Sequence, residues 1–381
     1  MRFLHTSDWH LGRVFHGVRL TEDQAHALDQ IEALVKDAKP DILLVSGDIY
    51  DRSVPPVEAI ELLDDFLEKI VRGHNVPVVM IAGNHDGPER MSFASEFLRD
   101  QDLHILGSIG DVNPVLFEDR HGSVDVFGIP YSEPAEVRNA GIADDCMDHD
   151  AAMAAVVAQC LERRSSKRSI ALAHAFVSGG KVSDSERRLS VGGTGEVKRP
   201  RFRGFDYVAL GHLHRPQTAG SEDIRYSGSL LKYSFSEAND TKGVILGDIG
   251  SRGNIEIEFI EIAPLHDVRC LKGKFKDLSK PTGTKKSRSD YVEITLTDRG
   301  PILDAMDRLR KIYPNLLNIR RPNLLMGDET RIETPDPRKV DHMEMFSSFF
   351  EQVTGGKLST KEKKAFASVL KQVEDEEGGV A

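Results

Sequence analysis

Cysteine is nearly missing from this chain of 381 residues. Cys146, Cys160 and Cys270 are odd in number and far apart, which points away from both a disulfide framework and a zinc knuckle. Long apolar runs are missing too. The longest stretch of small apolar residues, 151–158, is far too short to cross a bilayer, so no membrane partner is expected. The start, Met1-Arg2-Phe3-Leu4-His5, enters a strand at once without a signal-peptide pattern, and a reducing cytoplasm is the expected location. Nor is there an excess of positive charge. A net charge of −11 argues by itself against nucleic acid as a partner. The basic residues are unevenly spread, however. Lys181, Arg187, Arg188, Lys198, Arg199, Arg201 and Arg203 crowd one segment, residues 272–288 and 308–321 add more, and the acids gather at residues 374–377. Such runs are mostly solvated surface, and only a phosphate-binding site nearby would make them a track for nucleic acid.

What is present is a set of five short apolar runs, each ending in potential metal ligands. Residues 42–45 stop at Ser46-Gly47 and deliver Asp48 and, three places on, Asp51. An apolar run without polar alternation suits a strand buried on both faces, and a glycine before the acid allows close backbone approach. Residues 3–7 run into Asp8-Trp9-His10, and residues 78–82 into Gly83-Asn84-His85-Asp86. Residues 169–173 end at His174, and residues 207–210 at Gly211-His212-Leu213-His214. Ligands of open α/β sheets bind beyond the carboxyl ends of the strands, so five strand ends are expected to converge on one pocket.

The intervening sequence sets the class. Thr21-Glu22-Asp23-Gln24 reads as a capping box opening a helix with Leu28, Ile31 and Val35 on one face. Pro55-Pro56 opens a second helix, striped by Ala59, Leu63, Phe66 and Ile70. From about residue 113 strands come closer together, with a helix over 151–161 and later strands at 224–227, 243–247 and 255–262. This pattern predicts an α/β fold of two packed sheets flanked by helices. Past Pro264, a strand at 291–296, a helix at 302–312 and a strand at 316–320 make a small α/β module. Thr334-Pro335-Asp336-Pro337 reads as a linker. Two amphipathic helices follow, one bearing Met343, Phe346, Phe349, Phe350 and Val353, the other Phe366, Val369, Leu370 and Val373, capped by Ser359 and Glu362. The expected domains are 1–263, 264–333 and 338–376.

Asp8, His10, Asp48, Asn84, His174, His212 and His214 together could hold two divalent ions. The spacing in Asp8-x-His10 and His212-x-His214 would put both members of each pair on one face of an extended segment. A carboxylate such as Asp48 can bridge two cations. Paired ions polarise a phosphoryl group and lower the pKa of a bound water, and mixed N/O ligation without thiolate favours manganese, iron or zinc. His85 adjoins Asn84 and cannot share its direction. With Asp86 behind it as an orienting acid, it suits protonation of a leaving alkoxide. Taken singly, a histidine is most often a packing or surface residue, and His5, His16, His26, His74, His104, His121, His149, His266 and His342 are read that way.

Asp8-x-His10, Gly47-Asp48-x-x-Asp51, Gly83-Asn84-His85-Asp86, His174 and Gly211-His212-x-His214, in this order, resemble the calcineurin-like metallophosphoesterases over the first ~260 residues, the scale of one large domain. Residues 6–12, 183–193 and the tail are similar to the nuclease subunits of that family. The resemblance implies a double β-sheet sandwich, a manganese-dependent 3′–5′ exonuclease and single-strand endonuclease acting on DNA, and an ATPase partner bound by the tail. It also implies a homodimer within a heterotetramer. One ion would take Asp8, His10, Asp48 and His214, and the other Asp48, Asn84, His174 and His212, with His85 aiding departure of the 3′ oxygen. Archaeal and eukaryotic relatives carry a histidine where this chain has Asp51. A phosphatase acting on a small molecule or phosphoprotein is the alternative on the same scaffold, but it would need neither the module after Pro264 nor the tail.

Overall fold

A computed structural model describes residues 1–110, 112–186, 195–280, 283–322, 343, 346, 347, 350 and 358–377. The apolar runs become strands covered on both faces, and side-chain alternation sorts them into layers. Ile42 and Leu44 face one hydrophobic layer, and Leu43 and Val45 another. Val79 and Ile81 share the first layer with Phe3, while Val78 and Met80 share the second with Leu4.

Six strands form the first sheet, in the order Ile255–Glu261, Gly243–Ile249, Arg2–Thr6, Ile42–Ser46, Val78–Ile81, Leu103–Leu106. The last four run parallel, and the first two join antiparallel. The second sheet has the order Gln217–Ser221, Ile224–Tyr226, Tyr207–Gly211, Arg168–His174, Gly122–Ile129, Val115–Asp119, with a parallel centre. Between the sheets lies one apolar layer, in which Phe3, Leu44 and Ile81 meet Val126, Ile170, Leu172 and Ala209. His5 points into this layer, fully buried, with Nδ1 3.0 Å from the Tyr207 hydroxyl. Burial drives its pKa down to about 3, and among the described residues it joins none of the donor groups, so it is a core histidine. Helices Thr21–Ala38 and Val57–Leu67 cover the outer face of the first sheet, and His149–Glu162 that of the second. The expected α/β double sandwich is therefore present.

Several local expectations change. Thr21 is the first helical residue, and no side-chain cap bond forms there. Gln24 turns inward instead, for a purpose described below. The helix expected over 302–312 is only Ala305–Arg310. The basic segment is partly spoken for: Lys198 and Arg201 pair with Asp150 at 3.4 and 2.6 Å, and Arg199 Nη1 donates to the Gly220 carbonyl at 2.5 Å. Arg187, Arg188, the rest of residues 187–193, the linker at 334–337, Phe349 and Val353 lie outside the described residues.

By contacts the chain divides into two compact units. The first is Met1–Leu271, Ser279–Ile294 and Met306–Ile319. Within it Tyr291 and His266 both bond Asp23, at 2.8 and 3.0 Å. The second is Lys272–Leu278, Thr295–Ala305 and Arg320–Ala381. There Ser359 and Glu362 form the expected reciprocal cap on helix Thr360–Glu377, and the rings of Phe346 and Phe366 stack at 3.8 Å. No helix among the described residues is long and apolar enough to cross a membrane.

Candidate metal centre

Beyond the strand ends the backbone keeps bonding, which fixes two of the loops that carry the polar residues. Asp8 N–H donates to the Gly47 carbonyl at 3.0 Å, His10 N–H to that of Asp48 at 2.9 Å, and Leu11 N–H to that of Ile49 at 2.8 Å. These loops are not extended. Asp8, His10, Asp48 and His212 have φ of 53°, 47°, 50° and 104°. Left-handed backbone costs about 1–3 kcal/mol at a residue other than glycine and persists only where the surroundings enforce it. The two-residue spacing therefore does not work by strand alternation. His212 and His214 point to different groups, one with Asp48 and His174, the other with Asp8 and His10. Gly47, at φ +86°, allows a close approach: a Cβ there would lie 2.5 Å from His174 Nδ1 and 2.9 Å from the Gly83 Cα.

All seven expected ligands are gathered in one place. His10 Nε2 lies 3.0 Å from His214 Nε2 and 3.6 Å from Asp48 Oδ2. On the other side of Asp48, His174 Nε2 is 3.5 Å from Oδ2. Asn84 Oδ1 sits 3.0 Å from both His174 Nε2 and His212 Nδ1. Asp8 receives the His212 N–H at 2.9 Å and the Ser7 hydroxyl at 2.5 Å. The two ring nitrogens 3.0 Å apart can share one N–H···N bond, and the same spacing suits two lone pairs aimed at one cation. Adjacent donors about 2.1 Å from a shared cation with right-angle geometry would stand about 3.0 Å apart. The donor set fits divalent cations.

Electrostatics follow from burial. Burial opposes ionisation of Asp48, but the facing imidazoles of His174 and His10 outweigh it and hold its pKa well below the usual carboxylate range. Burial likewise opposes a charge on His174, yet Asp48 and then Asp8 raise its pKa to about 9. Burial, helped by the charge of His174, lowers His212 to about 3, and burial takes His10 well down as well. At neutral pH two imidazoles are thus ready to donate a lone pair while His174 is still protonated. Because a proton and a cation compete for His174 Nε2, cation binding is expected to release about one proton near pH 7 and to tighten roughly tenfold per pH unit up to about pH 9. Calorimetry of manganese binding in buffers of unequal ionisation enthalpy measures this, and affinity that ignores pH would mean that His174 is already neutral.

Residues behind the donors hold the loops in place. His174 Nδ1 donates to the Ser46 carbonyl at 2.9 Å. Gln24 Nε2 donates to the carbonyls of Trp9 and His10 at 3.1 and 2.8 Å, bracing the first ligand loop. Asp51 Oδ1 pairs with Arg13 at 2.9 Å and stands 3.6 Å from His10 Nδ1, beyond hydrogen-bond reach. Asp86 does not orient His85. Its carboxylate accepts the N–H groups of Ile49, Tyr50 and Gly83 at 3.1, 2.9 and 2.8 Å, tying two ligand loops together. Burial, and then Asp48, push its pKa up to about 6. His85 is held instead through Nδ1, 2.8 Å from the Asp51 carbonyl oxygen, and through its N–H on Asp48 Oδ1 at 2.9 Å. Half-buried, its ring stands beside the cluster, 4.7 Å from that of His10.

The chain is similar to proteins already known. Residues 1–216 match the family model described as calcineurin-like phosphoesterase. Residues 264–354 match the one described as type 5 capsule protein repressor C-terminal domain. The chain is 33% identical over 383 residues to the D subunit of the SbcCD nuclease of Staphylococcus epidermidis (strain ATCC 12228 / FDA PCI 1200), covering 99% of this chain and 100% of that one. The crystal structure of TT1561 of Thermus thermophilus is 14% identical, with a TM-score of 0.40, over 69% of this chain and 99% of that chain.

Proposed function

The chain belongs to the calcineurin-like phosphoesterase family, and on that premise we propose that it is a DNA nuclease subunit of the SbcD kind. It hydrolyses phosphodiester bonds with divalent metal ions. The observation that carries the reading is a complete cluster of N and O donors in a chain similar, end to end, to a nuclease subunit. A phosphatase would leave the match over residues 264–354 without a use.

In this reading two ions bind, most readily manganese. Asp8, His10, Asp48 and His214 hold one, and Asp48, Asn84, His174 and His212 the other. When bound, such ions polarise the phosphoryl oxygens and acidify the attacking water. The chain's own part is positional. Asp48 lies between the two groups, Asn84 spans His174 and His212, and the kinked loops keep the donors converging. His85 donates a proton from Nε2 to the departing 3′ oxygen while the Asp51 carbonyl fixes its other nitrogen. The products are those of a 3′–5′ double-strand exonuclease and a single-strand or hairpin endonuclease, used in repair and recombination in the cytoplasm.

Residues 264–333 cap the DNA, and residues 338–376 bind an SbcC-type ATPase. Support for the latter is Val369, 56% exposed on helix Thr360–Glu377 and free to enter a partner's groove. The nuclease works as a homodimer within a heterotetramer. Phe93 and Phe97, 81% and 82% exposed, are what a second copy would cover.

Labelled duplex and hairpin DNA tests the reading. The full chain is expected to cut both in manganese and to gain ATP-dependent cutting with SbcC. Deleting residues 338–381 is expected to remove only the gain and co-purification with SbcC. Manganese-bound protein that leaves DNA intact but hydrolyses a phosphomonoester would favour the phosphatase. A truncation that loses its thermal transition would assign the tail helices to the protein's own core.

A further inference from the structure

The outer nitrogen of His214 is held by a relay of side chains. Its Nδ1 lies 2.6 Å from Ser185 Oγ, and Ser185 Oγ lies 2.5 Å from Glu237 Oε1. Lys242 Nζ, almost fully buried, is 2.6 Å from Glu237 Oε2 and donates to the His214 carbonyl at 2.6 Å. Glu186 Oε1 accepts the His214 N–H at 2.9 Å, so backbone and ring are clasped by neighbouring residues.

The direction of these bonds follows from the groups. Glu237 is fully buried against an ammonium and, ionised, can only accept. Ser185 must then spend its single proton on Glu237, and its oxygen accepts from His214 Nδ1–H. That leaves the lone pair of His214 on Nε2, facing His10 and Asp8. Nothing comparable backs His174, whose Nδ1 has a neutral backbone carbonyl.

We infer that Ser185, backed by the Glu237–Lys242 pair, is a positioning residue that fixes the tautomer and aim of His214, and so governs one of the two metal positions and not the other. Ser183–Glu186 is therefore a working part of the metal centre, although it lies on no strand end and acts on His214, 29 residues from Ser185. The inference rests on the two-ion reading above. Loss of an outer partner of a ligating histidine typically weakens metal binding ~10–100-fold.

Manganese titration of the full-length protein, by calorimetry and by electron paramagnetic resonance, tests this. Ser185→Ala leaves the Glu237–Lys242 pair in place. It is expected to bind one ion as the unaltered protein does and the second ~10–100-fold more weakly. Ser185→Thr, which keeps the hydroxyl, is expected to restore the second ion. Glu237→Gln, which can still accept but is uncharged, is expected to weaken the same ion. Two ions bound by Ser185→Ala as tightly as by the unaltered protein would overturn the inference, as would equal weakening of both. Failure of the unaltered protein to take up two ions would instead overturn the two-ion reading itself.

Discussion

Replacing Asp48 by alanine is expected to remove both metal ions and to lower DNA cleavage by more than ~10⁴-fold, beyond what loss of a proton donor alone typically does. The reason is placement. Asp48 Oδ2 faces His10 Nε2 at 3.6 Å on one side and His174 Nε2 at 3.5 Å on the other, so a single carboxylate serves both groups of donors. Its Oδ1 also receives the His85 N–H, so His85 loses an anchor in the same change. Metal content of the purified variant, read by mass spectrometry beside the nuclease assay, is the measurement. Retention of both ions would take the bridging role away from Asp48.

His85→Ala is expected to separate the two functions that Asp48 combines. Both ions should remain, since no donor in the two ligand groups is touched, while cleavage falls ~10²–10⁴-fold through loss of general acid help. The structure gives the side chain an orientation suited to this: Nδ1 is fixed by the Asp51 carbonyl, and the ring stands edge-on to His10 at 4.7 Å. Two observations would read the residue differently. Metal loss on the scale of Asp48→Ala would make it a ligand. Full activity on a substrate with a poor leaving group would leave departure unassisted.

Much of this site can be read in the sequence because buried strands advertise themselves. The runs at residues 42–45 and 78–82 have no polar alternation, and the side chains that follow them are the ones the fold gathers. What could not be read is whatever depends on a change of backbone direction or on a distant partner. Asp86 follows His85 directly and looked like its orienting acid. A left-handed Asp48 brings the N–H groups of Ile49 and Tyr50 within reach, and the Asp86 carboxylate is used there. Gln24 matched a capping box by spacing alone, yet its amide is worth more against the carbonyls of Trp9 and His10, where unpaired buried acceptors would be costly. Ser185, Glu237 and Lys242 carry no local signal at all. Their meaning arises only when residues 29 and 23 positions away from His214 fold onto it, as the Ser185 and Glu237 contacts do. The nearest available clue was the stretch beginning at Ser183, which stood out by resemblance and not by chemistry.

The central position of Arg2–Thr6 in the first sheet has a consequence for how the protein comes into being. One neighbour, Ile42–Ser46, emerges soon after it, but the other, Gly243–Ile249, is some 240 residues away. At ribosomal speeds of about 5–20 residues per second, this strand waits roughly 12 to 48 seconds with one edge unpaired. Exposed strand edges recruit other chains, and pairings so remote in sequence form late. Asp8 and His10 follow that strand, and His214 is made only near the end of the wait. A full set of donors therefore exists only once the chain has grown past His214 and the strand Gly243–Ile249 has closed the sheet, and shorter nascent polypeptide offers only fragments of a binding site.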